Sequence, residues 1–337
     1  MDERITLAYG SGGKLTHQLI STLFYRYFGN DLLLEGGDSA VFATQNGRMA
    51  FTTDSYVISP IFFKGGNIGK LAVCGTVNDL AVSGAVPRYL SCSFIIEEGL
   101  KLEDLEAIVK SMADTAKEAG VGIVTGDTKV VQKGCADRIF INTAGIGFIQ
   151  EDVSFSVKNI RKGDKIILSG TMGDHGTAIL LEREGLNVQS NIASDCAPLN
   201  LLLEPVIRKY SGAIRIMRDP TRGGVATTLN ELIGGSGFSI NLHEDSLPVR
   251  EEVKGVCEML GMDPLYMANE GKVLLIADGN QADGIVTLLK ENQLYGKDAA
   301  IIGTVTDHYP DKVYISTLAG GRRIVDMLTG DQLPRIC

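Results

Sequence analysis

The sequence alternates between strand-like and helix-like stretches, and this alternation limits the possible folds more than any other feature. Strands are predicted where β-branched or apolar runs end at Gly or Asp: RMAFTTDSYVI, RYLSCSFII, RIFINTAGIGFI, DKIILSG, KVLLIAD and AAIIGTVTD. LEDLEAIVKSMADTAKEAG carries apolar residues at helical spacing and stops at Gly120, which predicts an amphipathic helix. PLNLLLEPVIRKYSG and NQADGIVTLLKENQ also predict helices, the first kinked or divided by Pro205. The pattern therefore predicts an α/β (α+β) fold.

Two domains are expected from the length of 337 residues. The acidic, turn-rich segment QEDVSFSVKNIRKGDK follows Phe148 and is the best boundary between them. We therefore predict one α/β domain over 1–150 and a second over 151–318. A glycine-containing segment, 319–337, is expected to form a flexible tail.

Charge and hydropathy exclude two classes of partner. The net charge is −9 and the basic residues are scattered, which argues against a nucleic-acid partner. No apolar run is long enough to span a bilayer, so no membrane association is expected. The N-terminal MDERITLAYG lacks the apolar core of a signal peptide. A cytoplasmic location is the expectation.

Six cysteines are present, and none belongs to a CxxC pair. Cys74, Cys92 and Cys257 sit among apolar residues and are expected to be small core residues. Cys135 and Cys196 lie in polar, loop-like contexts without an assigned role. Cys337 is the last residue and has no neighbours that would bury it. From position alone it is either a functional thiol or an ordinary frayed terminus.

Five aspartates share one local pattern, an apolar strand-like run followed by Asp beside Gly, Thr or Pro: Asp38, Asp54, Asp79, Asp127 and Asp219. Strand ends are where a rigid scaffold presents functional groups. Carboxylates with substrate phosphates are the usual ligands of Mg²⁺, so the set suits a magnesium–nucleotide site. The alternative is that each is a capping or turn residue.

Glycine-rich loops could bind the phosphates of such a nucleotide. YGSGGKLT contains Gly12, Gly13 and Lys14, but Ala8 and Leu15 stand where a P-loop needs Gly and Ser or Thr. GVGIVTG at 120–126 does not fit the dinucleotide-binding fingerprint either. His175, in GTMGDHG, is expected to be structural or capping rather than a base.

Two further charged residues are candidates for chemistry. Lys129 lies two residues after Asp127, so on an extended strand the two side chains share a face. Glu270, in MANEGKVLL, lies at the start of a predicted strand. The residues alone leave open that both are solvated loop charges.

Several motifs together resemble one family, the HypE hydrogenase maturation proteins: GSGGK, GDSAVF, FTTDSYVISPIFFKGGNIGKLAVCGTVNDLAVSGAVP, GDTKVV, MRDPTRGG, NEGK and the terminal PRIC. The match runs from Ala8 to the last residue, and PRIC is its most specific element. The wider group is the ATP-binding superfamily of aminoimidazole ribonucleotide synthetase and selenophosphate synthetase. Lys64 stands where the family often has proline.

The resemblance implies a two-domain ATP-binding fold of the aminoimidazole ribonucleotide synthetase type. It also implies a homodimer through the N-terminal domains, with ATP bound between the domains and near the dimer contact. The implied reaction is carbamoyl dehydration on Cys337. The carbamoyltransferase HypF loads a carbamoyl group onto the thiol, ATP drives dehydration to a thiocyanate, and a HypC–HypD complex receives the cyanide ligand for the iron of [NiFe]-hydrogenase.

The resemblance also implies roles for individual residues. Mg²⁺ is expected on Asp38, Asp54, Asp79 and Asp127, with ATP also contacted by Gly12, Gly13, Lys14, Asn78 and Asp219. Glu270 is the expected general base and Lys129 its assistant. The seven residues after Gly330 span roughly 23–25 Å when extended, enough to move between partners.

Two rival functions remain at this level. One is another synthetase of the superfamily, most plausibly selenophosphate synthetase, although this chain has no cysteine before Cys74 and those enzymes need no terminal PRIC. The other is a nucleotide-binding scaffold that only docks maturation partners. ATP consumption that depends on a carbamoylated tail separates an enzyme from a scaffold.

Overall fold

The structure is a computed structural model and describes residues 4–10, 14–34, 40, 47–184, 190–328 and 336. Four residues predicted to be functional, Gly12, Gly13, Asp38 and Cys337, lie outside these ranges. Lys14 begins the first helix, and only its backbone is described. No helix in the described part of the chain is long and apolar enough to cross a membrane.

The first half of the chain forms a four-stranded sheet with helices against one face. Its helices are α1 (Lys14–Leu19), α2 (Tyr25–Phe28), α3 (Asp31–Leu34), α4 (Ile68–Val82) and α5 (Leu102–Ala119), with a π-helical turn over Ile20–Phe24. Its strands are β1 (Arg48–Tyr56), β2 (Phe62–Phe63), β3 (Gly66–Asn67), β4 (Ala85–Glu97), β5 (Gly122–Val131) and β6 (Ile139–Ile149). The sheet order is β1-β6-β4-β5, and only the β4–β5 pair is parallel.

Helix α4 organises this domain because nearly all of its side chains are buried. It begins at a strong cap, where the Asn67 side chain accepts hydrogen bonds from the backbone nitrogens of Gly69 and Lys70. It packs on the sheet face that carries Tyr56 and Thr143. The opposite sheet face has no covering element among the described residues and exposes Phe51 and Ile95.

The second half of the chain forms a seven-stranded sheet of order β13-β12-β9-β11-β7-β10-β8. Its strands are β7 (Lys165–Leu168), β8 (Ile214–Arg218), β9 (Ser239–His243), β10 (Leu274–Ala277), β11 (Ala300–Thr306), β12 (Val313–Ser316) and β13 (Arg322–Val325). Its helices are α6 (Asp174–Glu184), α7 (Asn200–Tyr210), α8 (Gly224–Ile233), α9 (Glu251–Leu260) and α10 (Ala282–Glu291). Separate apolar clusters lie on its two faces, one with α8 and the other with α7 and α10.

The six predicted strands are all present, as β1, β4, β6, β7, β10 and β11. One local prediction was wrong: the tail does not begin at residue 319, because Arg322–Val325 pairs with β12 and Val325 is fully buried. Of the two effects expected of Pro205, division of the helix is contradicted, because α7 is continuous from Asn200 to Tyr210, and a kink stays a prediction. The change from one sheet to the other falls between Ile149 and Lys165.

Candidate active site

A cleft of about 650 Å³ separates the two domains. From the first domain, β1 contributes Asp54 and Tyr56 while α4 contributes Asp79. From the second domain, the chain after β8 contributes Asp219, and the loop before β10 contributes Glu270. Of these aspartates only Asp219 directly follows a strand as predicted, since Asp54 lies within β1 and Asp79 lies in helix α4 rather than after a strand. All three nevertheless line one cavity.

Burial and the charges of neighbouring carboxylates raise the pKa values of two aspartates in the cleft. Burial and the nearby Asp54 charge raise the pKa of Asp79, although a 2.8 Å hydrogen bond from the Thr52 hydroxyl opposes the shift. Burial, followed by the charge of Asp79, raises the pKa of Asp219 to about 7. Carboxylates held this close without full compensation are poised to bind a cation.

The cleft fits Mg²⁺ as one member of a larger ligand set. No group of three or more His, Cys, Asp or Glu side chains within the described ranges is arranged to hold a metal alone. Mg²⁺ commonly takes one or two protein carboxylates and completes its shell with phosphate oxygens and water. Asp79 and Asp219, with Asp54 beside them, match that requirement with hard oxygen donors.

Asp127 and Lys129 lie elsewhere in this chain. Asp54 pairs with Thr143, whose hydroxyl is 2.5 Å from that of Thr76 on α4, so Asp54 is on the helix-covered face. Asp127 pairs with Ser93, which lies between two buried residues of β4 and therefore faces the opposite side. The two strands are three strand spacings apart, roughly 14 Å. One chain therefore does not gather Asp54, Asp79 and Asp127 into a single cluster.

Lys129 and Asp127 do share a face, as their spacing predicts. The Lys129 ammonium donates to Asp127 Oδ1 at 3.0 Å, and this bond lowers the pKa of Asp127. Both side chains are exposed. Within one chain, Lys129 is therefore on the other side of the sheet from Glu270.

Asn78 differs from its predicted role as an ATP contact. Its side chain is buried, and Nδ2 donates to the carbonyl oxygens of Ala197 at 3.1 Å and Glu270 at 3.3 Å. Its Oδ1 accepts a 2.8 Å bond from the Leu199 nitrogen. Because these backbone groups use both ends of the amide, Asn78 joins α4 to the second domain, and it is not among the residues that line the 650 Å³ cleft.

Glu270 is the most unusual ionisable group of the site. It is only 3% exposed, and its Oε1 has no hydrogen-bond partner among the described residues. Burial raises its pKa well above the usual value, and the nearby Cys196 thiol and Asp219 carboxylate raise it further. The protonated form is stable in this position, and the ionised form is a strong base.

The penultimate residue of the chain is buried and contacts His175 on α6. Ile336 is 4% exposed and belongs to the same apolar cluster as Cys74, Cys196 and Ala268. Its carbonyl oxygen is 2.7 Å from Nε2 of His175. Sequence inspection did not predict this contact, because no local pattern links residues so far apart.

The cysteines follow the predictions with one exception. Cys74, Cys92 and Cys257 are buried and Cys135 is exposed. Cys196 lies in a loop as predicted, but its surroundings are not polar, because its thiol is buried against Cys74 between the domains. Burial raises the pKa of Cys196 well above its usual range, which keeps this thiol protonated.

A second cavity, of about 260 Å³, lies at the β5 edge of the first sheet. Aromatic side chains including Phe24, Phe28 and Phe94 line its interior, and the Thr125–Thr128 segment lines its polar side. Gly10 is adjacent to β5, since a Cβ at this position would lie only 2.7 Å from the Val130 nitrogen. The sequence did not predict this pocket.

Comparisons with known proteins agree with this architecture. The family models for the N-terminal and C-terminal domains of AIR synthase related proteins match residues 36–149 and 161–316. The carbamoyl dehydratase HypE of Bradyrhizobium diazoefficiens is 49% identical over 99% of this chain and 96% of its own length.

Two solved structures are similar over nearly the whole chain. A hydrogenase maturation protein HypE in complex with ATP has a TM-score of 0.94 at 49% identity, covering 98% of this chain and 99% of its own. HypE in a HypE–HypF complex has a TM-score of 0.81 at 49% identity, covering 94% and 100%. The chain therefore belongs to the HypE family of carbamoyl dehydratases, within the AIR synthase related proteins.

Proposed function

We propose that this chain uses ATP to dehydrate an S-carboxamide on its own Cys337 to a thiocyanate, which supplies the cyanide ligand for the iron of [NiFe]-hydrogenase. One observation carries the proposal: the residue before Cys337 is buried, and its carbonyl oxygen is 2.7 Å from His175, on the helix whose Gly176 nitrogen donates to Ala268, two residues before the unpartnered carboxylate of Glu270. A frayed terminus would not place an isoleucine there.

The chemistry needs a leaving group and a base. The carboxamide oxygen attacks the γ-phosphorus of ATP, which releases ADP and leaves an O-phosphorylated imidate. The C–O bond then breaks, its electron pair leaves with phosphate, and C≡N forms as the nitrogen loses two protons, one to the departing phosphate and one to Glu270. Glu270 accepts a nitrogen proton at its free Oε1 once it is ionised.

Asp54, Asp79 and Asp219 are the described residues that would hold Mg²⁺, with Asp38 as a further predicted ligand. The ion would offset charge on the transferring phosphoryl group. In this proposal Asp219 is a metal ligand rather than only an ATP contact, because it lines the same cleft as Asp79 and lies close enough for the charge of Asp79 to raise its pKa.

We further propose that the ATP site is completed by a second copy of the chain. The uncovered sheet face exposes Phe51 and Ile95, which favours pairing of two such faces. The same face carries Asp127 and Lys129 on β5, the edge strand at which Gly10 and the aromatic pocket also lie. Pairing would bring the partner's Asp127 and the partner's Lys129 towards the cleft, with adenine in the aromatic pocket and Gly12, Gly13 and Lys14 over the phosphates.

The proposed partners follow from the family. A relative has been solved in complex with HypF, and we propose the same carbamoyl donor here. We propose a HypC–HypD complex as the cyanide acceptor and the cytoplasm as the location. The segment after Val325 is long enough for the thiol to reach both partners in turn.

Intact-protein and peptide mass spectrometry tests the proposal. With HypF and carbamoyl phosphate, the parent should gain a carbamoyl group on its C-terminal peptide, then lose one water when Mg–ATP is added. Cys337→Ala should fold but gain no such mass, because the thiolate is the acceptor. Cys135→Ala, which removes the exposed cysteine, is the matched control and should behave like the parent. Unchanged modification of Cys337→Ala would refute the proposed acceptor.

Two alternatives predict other results. A scaffold would accept the carbamoyl group, but it would not lose one water for each ATP consumed. A selenophosphate synthetase would consume ATP with selenide and without any modification of the tail.

A further inference from the structure

His175 lies in the first turn of α6 and is completely buried. Its two ring nitrogens contact two different parts of the chain. Nε2 is 2.7 Å from the carbonyl oxygen of Ile336, and Nδ1 is 2.8 Å from the hydroxyl oxygen of Ser194. The edge of the Phe63 ring faces the imidazole from the first domain, with 5.7 Å between centroids.

The hydrogen bonds determine which nitrogen carries the proton. A carbonyl oxygen only accepts, so Nε2 must be the donor to Ile336. Burial lowers the pKa of His175, so the ring is neutral and Nδ1 accepts from the Ser194 hydroxyl. The Ser194 oxygen in turn accepts a 3.1 Å bond from the Cys196 nitrogen, which orients that hydroxyl.

The same segments also hold Glu270. Asp195, next to Ser194, accepts a 3.1 Å bond from the Glu270 nitrogen and forms a 3.0 Å ion pair with Lys272. On the α6 side, the Gly176 nitrogen donates to the Ala268 carbonyl at 3.0 Å. His175 and Glu270 are therefore fixed relative to each other through two independent connections.

We propose that His175 is the positioning residue that captures the C-terminal tail, by donating its Nε2 proton to the Ile336 carbonyl. The next Cα atom, that of Cys337, is necessarily 3.8 Å along the chain across a trans peptide. Holding Ile336 thus limits where the modified thiol can be, relative to Glu270. This role rests on the proposed function for its purpose, but the capture itself is independent of any reaction.

Ser194 is the partner that makes the capture specific. Without the Ser194 hydroxyl, Nδ1 of His175 has no hydrogen-bond donor as partner. The tautomer that carries its proton on Nε2 is then less favoured. The loop that carries Ser194 is anchored on the first domain, because the Ser194 nitrogen donates to the Lys64 carbonyl at 2.8 Å. A tail held by His175 is therefore held where both domains meet.

Alkylation of the thiols, without carbamoyl donor or ATP, tests the capture. Iodoacetamide labelling of the Cys337 peptide is followed by mass spectrometry, with the exposed Cys135 of the same molecule as internal reference. His175→Phe keeps a buried ring but no donor, and should raise the Cys337:Cys135 rate ratio about two- to tenfold, the range expected for one lost hydrogen bond. His175→Gln retains a side-chain donor and should stay closer to the parent.

The matched control is Thr177→Val, on the same helix, because the Thr177 hydroxyl faces Cys257 rather than Ile336. It should leave the rate ratio unchanged. Ser194→Ala, a single hydroxyl deletion in a loop, serves if His175→Phe folds poorly, and should also raise the ratio. An unchanged ratio in His175→Phe or Ser194→Ala, or an equal rise in His175→Gln and His175→Phe, would overturn the capture.

A second measurement separates positioning from general damage. In carbamoylated protein, the variants should lose water on addition of ATP more slowly, in the order of their alkylation ratios, while the carbamoylation step keeps its parental rate. Slower water loss together with an unchanged alkylation ratio would overturn the capture, because the tail would then be as accessible as in the parent. If the parent itself never loses water, the proposed function fails while the alkylation result still decides the capture.

Discussion

At the scale of single residues, Glu270 combines a proposed catalytic role with a cost in stability. A carboxyl group whose pKa is raised by folding binds its proton more tightly in the folded than in the unfolded state. The resulting stabilisation is complete below the unfolded pKa, about 4.3. It is lost as the pH rises towards the folded pKa, so at neutral pH the buried carboxyl lowers the free energy of unfolding.

Glu270→Gln should therefore gain stability relative to the parent as the pH rises. The difference in unfolding free energy should grow by about 1.4 kcal/mol per pH unit above pH 4.3, until the folded pKa is reached. Urea unfolding between pH 4.5 and 7.5 measures it. The same variant should accept the carbamoyl group but dehydrate it slowly, because an amide does not take up the proton.

Glu291→Gln, at the exposed end of α10, is the matched control. Its unfolding free energy should differ from that of the parent by the same amount at every pH. A pH-independent difference for Glu270→Gln as well would mean that folding does not make Glu270 bind its proton more tightly. A parental dehydration rate in that variant would remove Glu270 from the role of base.

Residue chemistry could be predicted from sequence where it depends on a local pattern. Asp54, Asp79 and Asp219 each follow an apolar run and line one cleft, but the run before Asp79 forms helix α4 rather than the predicted strand. Asn78 has the same local context, yet its helical position turns it towards Ala197 and Leu199. Cys196 and His175 acquire their surroundings only from contacts between distant segments, which no local pattern contains.

At the scale of elements, the approach of α4 to β1 shapes the cleft. Gly75 on α4 faces Tyr56 on β1, and a Cβ at position 75 would lie 2.2 Å from the Tyr56 hydroxyl oxygen. The hydroxyl also lies 3.4 Å from that of Thr76, inside the core. Glycine is required here for space, since its φ angle is not in the left-handed region.

Gly75→Ala should destabilise the protein by about 1–3 kcal/mol, the usual range for overpacking a core. It should also weaken ATP turnover, because β1 and α4 carry Asp54 and Asp79. Gly255→Ala is the matched control, since nothing lies within 4 Å of its Cβ position in α9. That substitution should stabilise the helix by up to about 1 kcal/mol. Equal urea midpoints for the two variants would contradict the close packing.

Strand prediction succeeded where burial of one face imposes a simple pattern, as in β4 and β6. It did not identify β13, whose first three residues, Arg322, Arg323 and Ile324, are exposed. β13 exists because its backbone pairs with β12 at the sheet edge and because Val325 is buried. Edge strands depend on their neighbour more than on their own side chains, so sequence alone predicted a tail in their place.

At the scale of the whole molecule, the positions of the predicted ligands favour an active site shared between two copies. One sheet face carries Asp54 and, with α4, Asp79, whereas the other carries Asp127 and Lys129. A magnesium–nucleotide site that uses all of them requires the uncovered face of one copy to approach the cleft of the other. Homodimers with two-fold symmetry then contain two equivalent composite sites.

This arrangement predicts complementation between inactive variants. Asp79→Asn and Asp127→Asn should each abolish most carbamoyl-dependent ATP turnover, because each removes a carboxylate from every site. After mixing and exchange of subunits in equal amounts, half of the dimers are mixed, and each mixed dimer has one intact site and one doubly altered site. Turnover should therefore recover to about a quarter of the parental value by this symmetry. Phe51→Asp, placed in both variants on the uncovered face, should prevent recovery by preventing pairing.

Mixing Asp79→Asn with Asp219→Asn is the matched control. Both residues line the cleft of the same chain, so each mixed dimer carries one defect in each site and no activity returns. No recovery in the Asp79→Asn and Asp127→Asn mixture, with subunit exchange verified by mass, would place Asp127 outside the phosphate site.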